Sequence, residues 1–398
     1  MITSTSTVNV ARSDRRPWKL PAKILNPQES RLDYPFGDTL PAPSARIRVA
    51  DGIDWIRMPL PFALDHVNLW LMRDHFDGRD GWTLVDCGID DEVIRGLWER
   101  LIDAELEGLP IVRLICTHTH PDHVGLAAML TERFAAPLWM TLGEYAFGRV
   151  LCAGLPGADG DSAAAHFRRH GMEPGFVETV RRRNRNYFTQ LVPVMPLQFT
   201  RILEGQEIRI GNRVWRVMIG RGHSPEHASL HCEADRLLIA GDMVLPRIST
   251  NVSVFDIEPL SNPLQWFLDS LRQYESCHQD TLVFPSHGRP FRKLHERLRQ
   301  LAEHHRERLS MLLASCGPEP ICAAQAVPLM FNREFDTHQM TFALGEALAH
   351  LHALWYAGTL RRVVGEDGVV RFGPTISPEP AADAAGWIPA LPPMVRAC

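Results

Sequence analysis

Residues 115–125 read ICTHTHPDHVG, which sets His118, His120, Asp122 and His123 within six positions, directly behind an apolar run. The chain holds 18 histidines, so one alone would be an ordinary polar residue. The spacing argues otherwise. In an extended loop alternate residues point the same way, so His118 and His120 can offer two imidazoles to one ion, while Asp122 and His123, where a helix begins, turn toward a second. Three further donors follow apolar strands: His223 in GRGHSPEH, Asp242 in LLIAGDMVL and His287 in LVFPSHG. Five imidazoles and two carboxylates suffice for two metal ions with three or four protein ligands each, Asp242 bridging between them.

The segments around these donors alternate in type. HVNLWLMRD (66–74) and GWTLVDCG (81–88) flank a turn-forming HFDGRDG and predict a hairpin. DDEVIRGLWERLIDAEL places Val93, Ile94, Leu97, Leu101 and Ile102 at helical spacing and leads into the strand IVRLIC (111–116), a β-α-β step. A helix from 123 to about 134 and a strand PLWMT follow, so the histidine motif sits where a strand ends and a helix begins. Residues 143–197 predict a largely helical insertion rich in arginine. Its basic residues read either as a solvated helix face or as a grip on an anionic substrate, with Arg181, Arg182 and Arg185 the candidate contacts. From 198 onward GQEIRIGNRVWRVMIG and HASLHCEADRLLIAGDMVL predict a hairpin-rich β half.

The ends differ from this body, which spans 46–290. Residues 1–45 mix Ser, Thr, Pro and charge without a period and predict a loose extension. Over 291–373 a long charged helix precedes DTHQMTFALGEALAHLHALWYAGTL, where Asp336 and Gln339 form a capping box and Gly358 a stop, and then RRVVGEDGVVRF gives two short strands. Helix, helix, hairpin predicts a small winged-helix-like module. The Pro/Ala-rich stretch 374–398 is expected to be disordered.

Composition narrows the class. No apolar run approaches the ~20 residues of a membrane span, and the N-terminus lacks an apolar signal core, so a soluble, cytoplasmic protein without membrane contact is expected. The eight cysteines are scattered singly and read as reduced thiols. A net charge of −5 argues weakly against a nucleic-acid partner and leaves a small-molecule substrate as the expected one.

The ordered set His118-x-His120-x-Asp122-His123, His223, Asp242 and His287, with Asp86 in TLVDCG, resembles the metallo-β-lactamase-fold hydrolases over about 53–290. The 291–373 module resembles the winged-helix tail of one branch, where LPFALDHVNLWL is also at home; that branch includes glyoxalase II-like hydrolases and a nucleic-acid-cleaving relative. The resemblance implies an α/β fold, a four-layer αββα sandwich with a small C-terminal α+β module. It implies one metal on His118, His120 and His223, another on Asp122, His123 and His287, and Asp242 shared. Asp86 would orient a ligand histidine or its loop, the alternative being a turn cap, and His227 would stand behind the ligands. Histidine at 120, where diiron relatives carry Glu, favours hydrolysis over redox. Zinc is the first choice, with iron or manganese as alternatives.

Two cations lower the pKa of a shared water from ~16 toward neutrality. The expected function is therefore hydrolysis of a small thioester, ester or lactone by a metal-bridged hydroxide, Asp122 passing a proton to the leaving group. An endoribonuclease-like phosphodiesterase is the alternative, weakened because the 337–357 helix has no Lys or Arg and only Arg361, Arg362 and Arg371 remain as basic candidates. A non-catalytic binding protein is the third class. Substrate identity and oligomeric state stay open at this level.

Overall fold

The computed structural model describes residues 26–184 and 187–375. Among these, seven strands form the first sheet in sequence order: β1 (Arg46–Ala50), β2 (Ile53–Pro59), β3 (His66–Phe76), β4 (Arg79–Val85), β5 (Ile111–Ile115), β6 (Leu138–Met140) and β7 (Thr200–Arg201). The predicted hairpin is β3–β4, paired antiparallel, whereas β4 to β7 run parallel because helices return the chain between them. Those connections are α1 (Glu92–Ala104), α2 (Pro121–Val124) and α3 (Ala127–Phe134), and then the insertion helices α4 (Leu142–Ala153), α5 (Gly160–Arg169), α6 (Pro174–Asn184) and α7 (Tyr187–Leu191).

A second sheet, ordered β12-β11-β10-β9-β8, comprises β8 (Glu207–Ile210), β9 (Arg213–Gly220), β10 (His227–Cys232), β11 (Leu237–Gly241) and β12 (Leu282–Pro285), with α8 (Pro263–Gln273) before its last strand. Strand period decides how the layers stack. Val67, Leu69 and Leu71 of β3 face Ile94, Leu97 and Trp98 of α1, and the alternate residues Trp70 and Met72 face Trp215, Val217 and Ile219 of β9. On the far side of the second sheet, Leu238, Ala240 and Val283 meet Leu264, Phe267 and Leu271 of α8. The result is the expected helix, sheet, sheet, helix sandwich. A 13-residue helix such as α1 is marginal alone, so its stability comes from Trp98 and its neighbours entering this core.

One ion pair lies within the sandwich. Arg113 of β5 and Asp74 of β3 approach to 2.6 Å with side chains 2% exposed. Asp74 also accepts from Thr83 Oγ1 and the Gly211 N–H, and Arg113 donates to Thr83 Oγ1 and the Arg209 carbonyl, so the network ties three strands of the first sheet to the β8–β9 turn.

After β12 come α9 (Leu294–Ser315), α10 (Ala323–Met330), α11 (Thr337–Tyr356) and the hairpin β13 (Leu360–Val364) with β14 (Val370–Pro374). Here the expectation of two helices needs correction: α10 is an additional helix, and the Pro328 within it disguises it in the sequence. Asp336 caps α11 by accepting from the Gln339 N–H, as the capping-box spacing predicts. The module is no loose appendage, since Leu344, Leu348 and Leu351 of α11 share one core with Leu238 and Val283 of the second sheet. Gly345 of α11 packs closely on the loop after β11, where a Cβ would lie 2.5 Å from Ser253 Oγ.

The N-terminal extension also needs correction from residue 26 onward. Asn26 donates to Gln300 Oε1 of α9 at 2.7 Å, Leu32 enters the core, and the Arg289 guanidinium stacks 4.2 Å from the Tyr34 ring. Residues 1–25 and 376–398 lie outside the described residues, but the stretch expected to be disordered from 374 onward begins ordered: Pro374 ends β14 and Thr375 Oγ1 donates to the Gly358 carbonyl at 2.8 Å. Among the described residues no helix is long and apolar enough to cross a membrane.

Candidate metal centre

The donors converge because the strands carrying them end on one side of the sandwich. β4 ends just before Asp86, β5 before the 117–120 loop, β9 before His223, β11 just before Asp242 and β12 before His287. Two groups form with ligating atoms all within 4.8 Å of one another: His118, His120, His223 and Asp242, and separately Asp122, His123 and His287. Asp242 addresses both. Its Oδ2 lies 3.3 Å from His223 Nε2, and its Oδ1 lies 3.3 Å from His287 Nε2 and 3.6 Å from His123 Nε2.

Four of the five rings are held by the far nitrogen, whereas His120 Nδ1 lies 2.9 Å from His118 Nε2. His123 Nδ1 donates to Asp86 Oδ2 at 2.8 Å, His223 Nδ1 to the Asn251 carbonyl at 2.8 Å and His287 Nδ1 to the His66 carbonyl at 2.7 Å. With Nδ1 protonated, Nε2 of each ring is a lone pair aimed inward. His118 Nδ1 meets Thr117 Oγ1, a hydroxyl whose own proton goes to Asp86, so His118 Nε2 is a lone pair as well. It stands 3.2 Å from His223 Nε2. Two lone pairs at that distance repel unless a cation lies between them. His123 Nε2, His287 Nε2 and Asp242 Oδ1 are likewise buried without a hydrogen-bond partner. The donor set therefore fits two divalent cations, and the mixed N/O chemistry suits zinc, iron or manganese.

Electrostatics agree. Burial, reinforced by neighbouring imidazoles, pushes His118 well below its ordinary pKa, and burial with His223 beside it takes His120 down to about 3, so both rings are neutral bases. At His123 burial again opposes charge, but Asp122, Asp86 and Asp242 outweigh it and raise the ring. The second trio is thus built to hold positive charge.

Asp86 is the residue expected to orient a ligand histidine or its loop, or else to cap a turn. It adopts φ +61°, accepts from the Thr117 N–H at 2.8 Å, and thereby fixes the histidine loop as well as His123. Replacing it with Asn is expected to weaken metal binding about 10–100-fold, checked by titrating zinc against a chromophoric chelator. His227 packs beside the donors: its Nε2 accepts from the Asp242 N–H at 3.1 Å, and Gly241 at φ +53° leaves room for the ring, since a Cβ there would lie 2.2 Å from Nε2.

The arginine candidates fall differently. Neither Arg181 nor Arg182 lines the cavity beside the donors: Arg181 pairs at 3.2 Å with Asp161, which does line it, and Arg182 pairs with Glu178 at 2.9 Å, while Arg185 lies outside the described residues. It is Arg183, stacked 4.3 Å from the Tyr187 ring, that lines the cavity. Two supporting residues went unpredicted. Asn68, fully buried in β3, donates to the carbonyls of Pro285 and Gly288 around His287; a polar residue inside an apolar strand was the available signal. Glu144, at the start of α4, accepts from the Thr119 N–H between two ligands, and nothing local in the sequence marks it.

Fold and donor set together define a metal-binding protein on the sandwich architecture of metallo-hydrolases. Residues 63–287 match the metallo-beta-lactamase superfamily, and residues 309–375 match the metallo-beta-lactamase-like C-terminal domain, so the chain belongs to that superfamily. A beta-lactamase domain protein from Burkholderia ambifaria is similar, with 53% identity and a TM-score of 0.81 over 88% of this chain and 99% of that one. A metallo-beta-lactamase family protein from Thermus thermophilus follows at 27% identity and a TM-score of 0.68, over 82% of this chain and 100% of that one. The probable metallo-hydrolase YqjP of Bacillus subtilis is 24% identical over 75% of this chain and 91% of its own length.

Proposed function

We propose that the protein is a dinuclear metal-dependent hydrolase of acyl substrates, thioesters first and then esters and lactones, in the manner of the glyoxalase II-like branch. The observation that carries this reading is the cavity of about 1280 Å³ onto which His120, Asp122, His223, Asp242 and His287 all open. It exceeds the roughly 300–1,000 Å³ of common ligand pockets, and Phe62, Phe147, Phe188, Phe255 and Phe342 line it, which suits an acyl group with a substantial apolar part. Arg183 at its wall offers a contact for an anionic tail.

When bound, two divalent cations supply Lewis acidity and a water acidified from pKa ~16 toward neutrality. The chain's own residues do the rest. Asp122, which lines the cavity, is placed to take a proton from the attacking water and pass it to the leaving group. His227 holds Asp242 in place, and the phenyl walls exclude bulk water from the acyl carbon. We read the C-terminal module as winged-helix-like in form, acting as a cavity wall: Phe331, Phe335, His338 and Phe342 all line it. Burial of α11 over Ala343–Leu354 supports this reading over nucleic-acid binding, because it leaves no face of those turns for a groove. On the hairpin, Arg371 is already paired with Asp367 and Arg362 stacks on Trp355.

The test is thiol release from a panel of acyl thioesters differing in chain length and carrier charge, measured on zinc-replete and chelated protein. Release is expected from the replete enzyme and not from the chelated one. Full activity after chelation would sink the metallo-hydrolase reading, and metal-dependent cleavage of RNA without thiol release would replace the acyl one.

A further inference from the structure

Glu144 is fully buried in the first turn of α4, yet it lies outside both groups of metal donors. Its two oxygens serve different loops. Oε2 accepts from the Thr119 N–H at 2.9 Å, and Oε1 accepts from the Glu226 N–H at 2.7 Å. Thr119 sits between His118 and His120, and Glu226 follows His223 in the same short loop. One carboxylate therefore spans the two loops that carry the first metal trio.

The surrounding contacts reinforce this strap. Thr119 Oγ1 donates back to the Glu144 carbonyl at 2.9 Å, and Gly148, one turn along α4, comes so close that a Cβ would lie 2.6 Å from that hydroxyl. From the other loop, the Glu226 carboxylate accepts from the Gly143 N–H at 2.8 Å and Thr141 Oγ1 donates to the Glu226 carbonyl at 2.9 Å. None of these bonds reaches Asp122, His123 or His287. Those residues depend on other supports: Asp86 for His123, and the backbone of His66 with Asn68 for the His287 loop. Asp86 differs from Glu144 in holding elements of both groups, since it binds Thr117 and His123 together.

We propose that Glu144 is the positioning residue that selectively sets the affinity of the cation position formed by His118, His120 and His223. The separation of those imidazoles follows the separation of the Thr119 and Glu226 backbones, and the Glu144 carboxylate spans it with an acceptor at each end. Glutamine in this place keeps the shape but turns an NH2 toward one of the two N–H groups, so one end of the strap opens.

The test is a titration of cobalt(II), and in parallel zinc, into metal-stripped full-length protein, with wild type, His120→Ala and Glu144→Gln side by side. His120→Ala identifies the binding step that belongs to the first trio. In Glu144→Gln that step is expected to weaken about 10–100-fold while the other stays within about twofold, as for supports behind a ligand. If the two wild-type steps coincide, the variant should split them. Equal weakening of both steps, weakening of the other step alone, or no change overturns the proposal. Should Glu144→Gln fail to fold, Glu144→Asp, which keeps both acceptors one methylene short, is judged by the same criterion with a smaller shift. The inference rests on the two-cation reading, and the controls separate them: a wild type that binds no ion overturns that reading, whereas normal wild-type binding with an unshifted variant overturns only the role of Glu144.

Discussion

Asp242→Ala is expected to lower kcat/KM by more than about a thousandfold, at least ~4 kcal/mol of transition-state stabilisation, on any substrate the enzyme takes. The magnitude follows from geometry. Asp242 is the residue whose two oxygens face different trios, at 3.3 Å from His223 on one side and at 3.3 and 3.6 Å from His287 and His123 on the other. Removing it takes away the carboxylate that faces both groups of donors, while loss of Asp122 affects only the second group. Asp242→Asn keeps the shape and removes the charge, and most of the loss should remain. Metal content by mass spectrometry alongside initial rates checks this: fewer than two ions per chain is expected, and a rate within tenfold of the parent at full metal load would rule out the bridging role.

Asp74→Ala should be the most damaging single change away from the metal site, at about 3–5 kcal/mol, because it leaves the Arg113 guanidinium buried without its counter-charge. The pair at 2.6 Å is only part of the cost, since the Gly211 N–H and Thr83 Oγ1 lose their acceptor too. Replacing both partners by leucine should recover most of the loss, since what destabilises is the stranded charge rather than the missing attraction. Urea midpoints of the two single variants and the double variant read this directly. A loss under about 1 kcal/mol for Asp74→Ala would show that water reaches Arg113.

The residues that converge were legible because each follows an apolar strand, and the strands concerned, β4, β5, β9, β11 and β12, all end on one side of the sandwich. Asp86 was legible for the same reason, directly behind TLV. The arginines were not. Successive residues on α6 are about 100° apart, so a run of three gives no clue to which one faces the cavity until its neighbours are known. Arg183 does, and Arg181 and Arg182 meet carboxylates instead. Glu144 was hidden because a glutamate in a first helical turn reads as an ordinary complement to the helix dipole. For α8, in contrast, a local signal exists: Leu264, Phe267, Leu268 and Leu271 are at helical spacing. Contacts such as Asn26 with Gln300, 274 positions apart, have no local signature at all.

The packing of α11 against the second sheet bears on how the protein is made. The carbonyl that orients His223 belongs to Asn251; the loop around Asn251 is braced where Ser253 meets Gly345, and Gly345 lies in α11. During synthesis the chain emerges N-terminus first, at ~5–20 residues per second. All seven donors are therefore outside the ribosome before the helix that braces one of them exists. A nascent chain is expected to complete this donor set only after α11 has docked, which makes metal loading a late, nearly post-translational event and leaves truncated products unable to compete with the finished chain for metal.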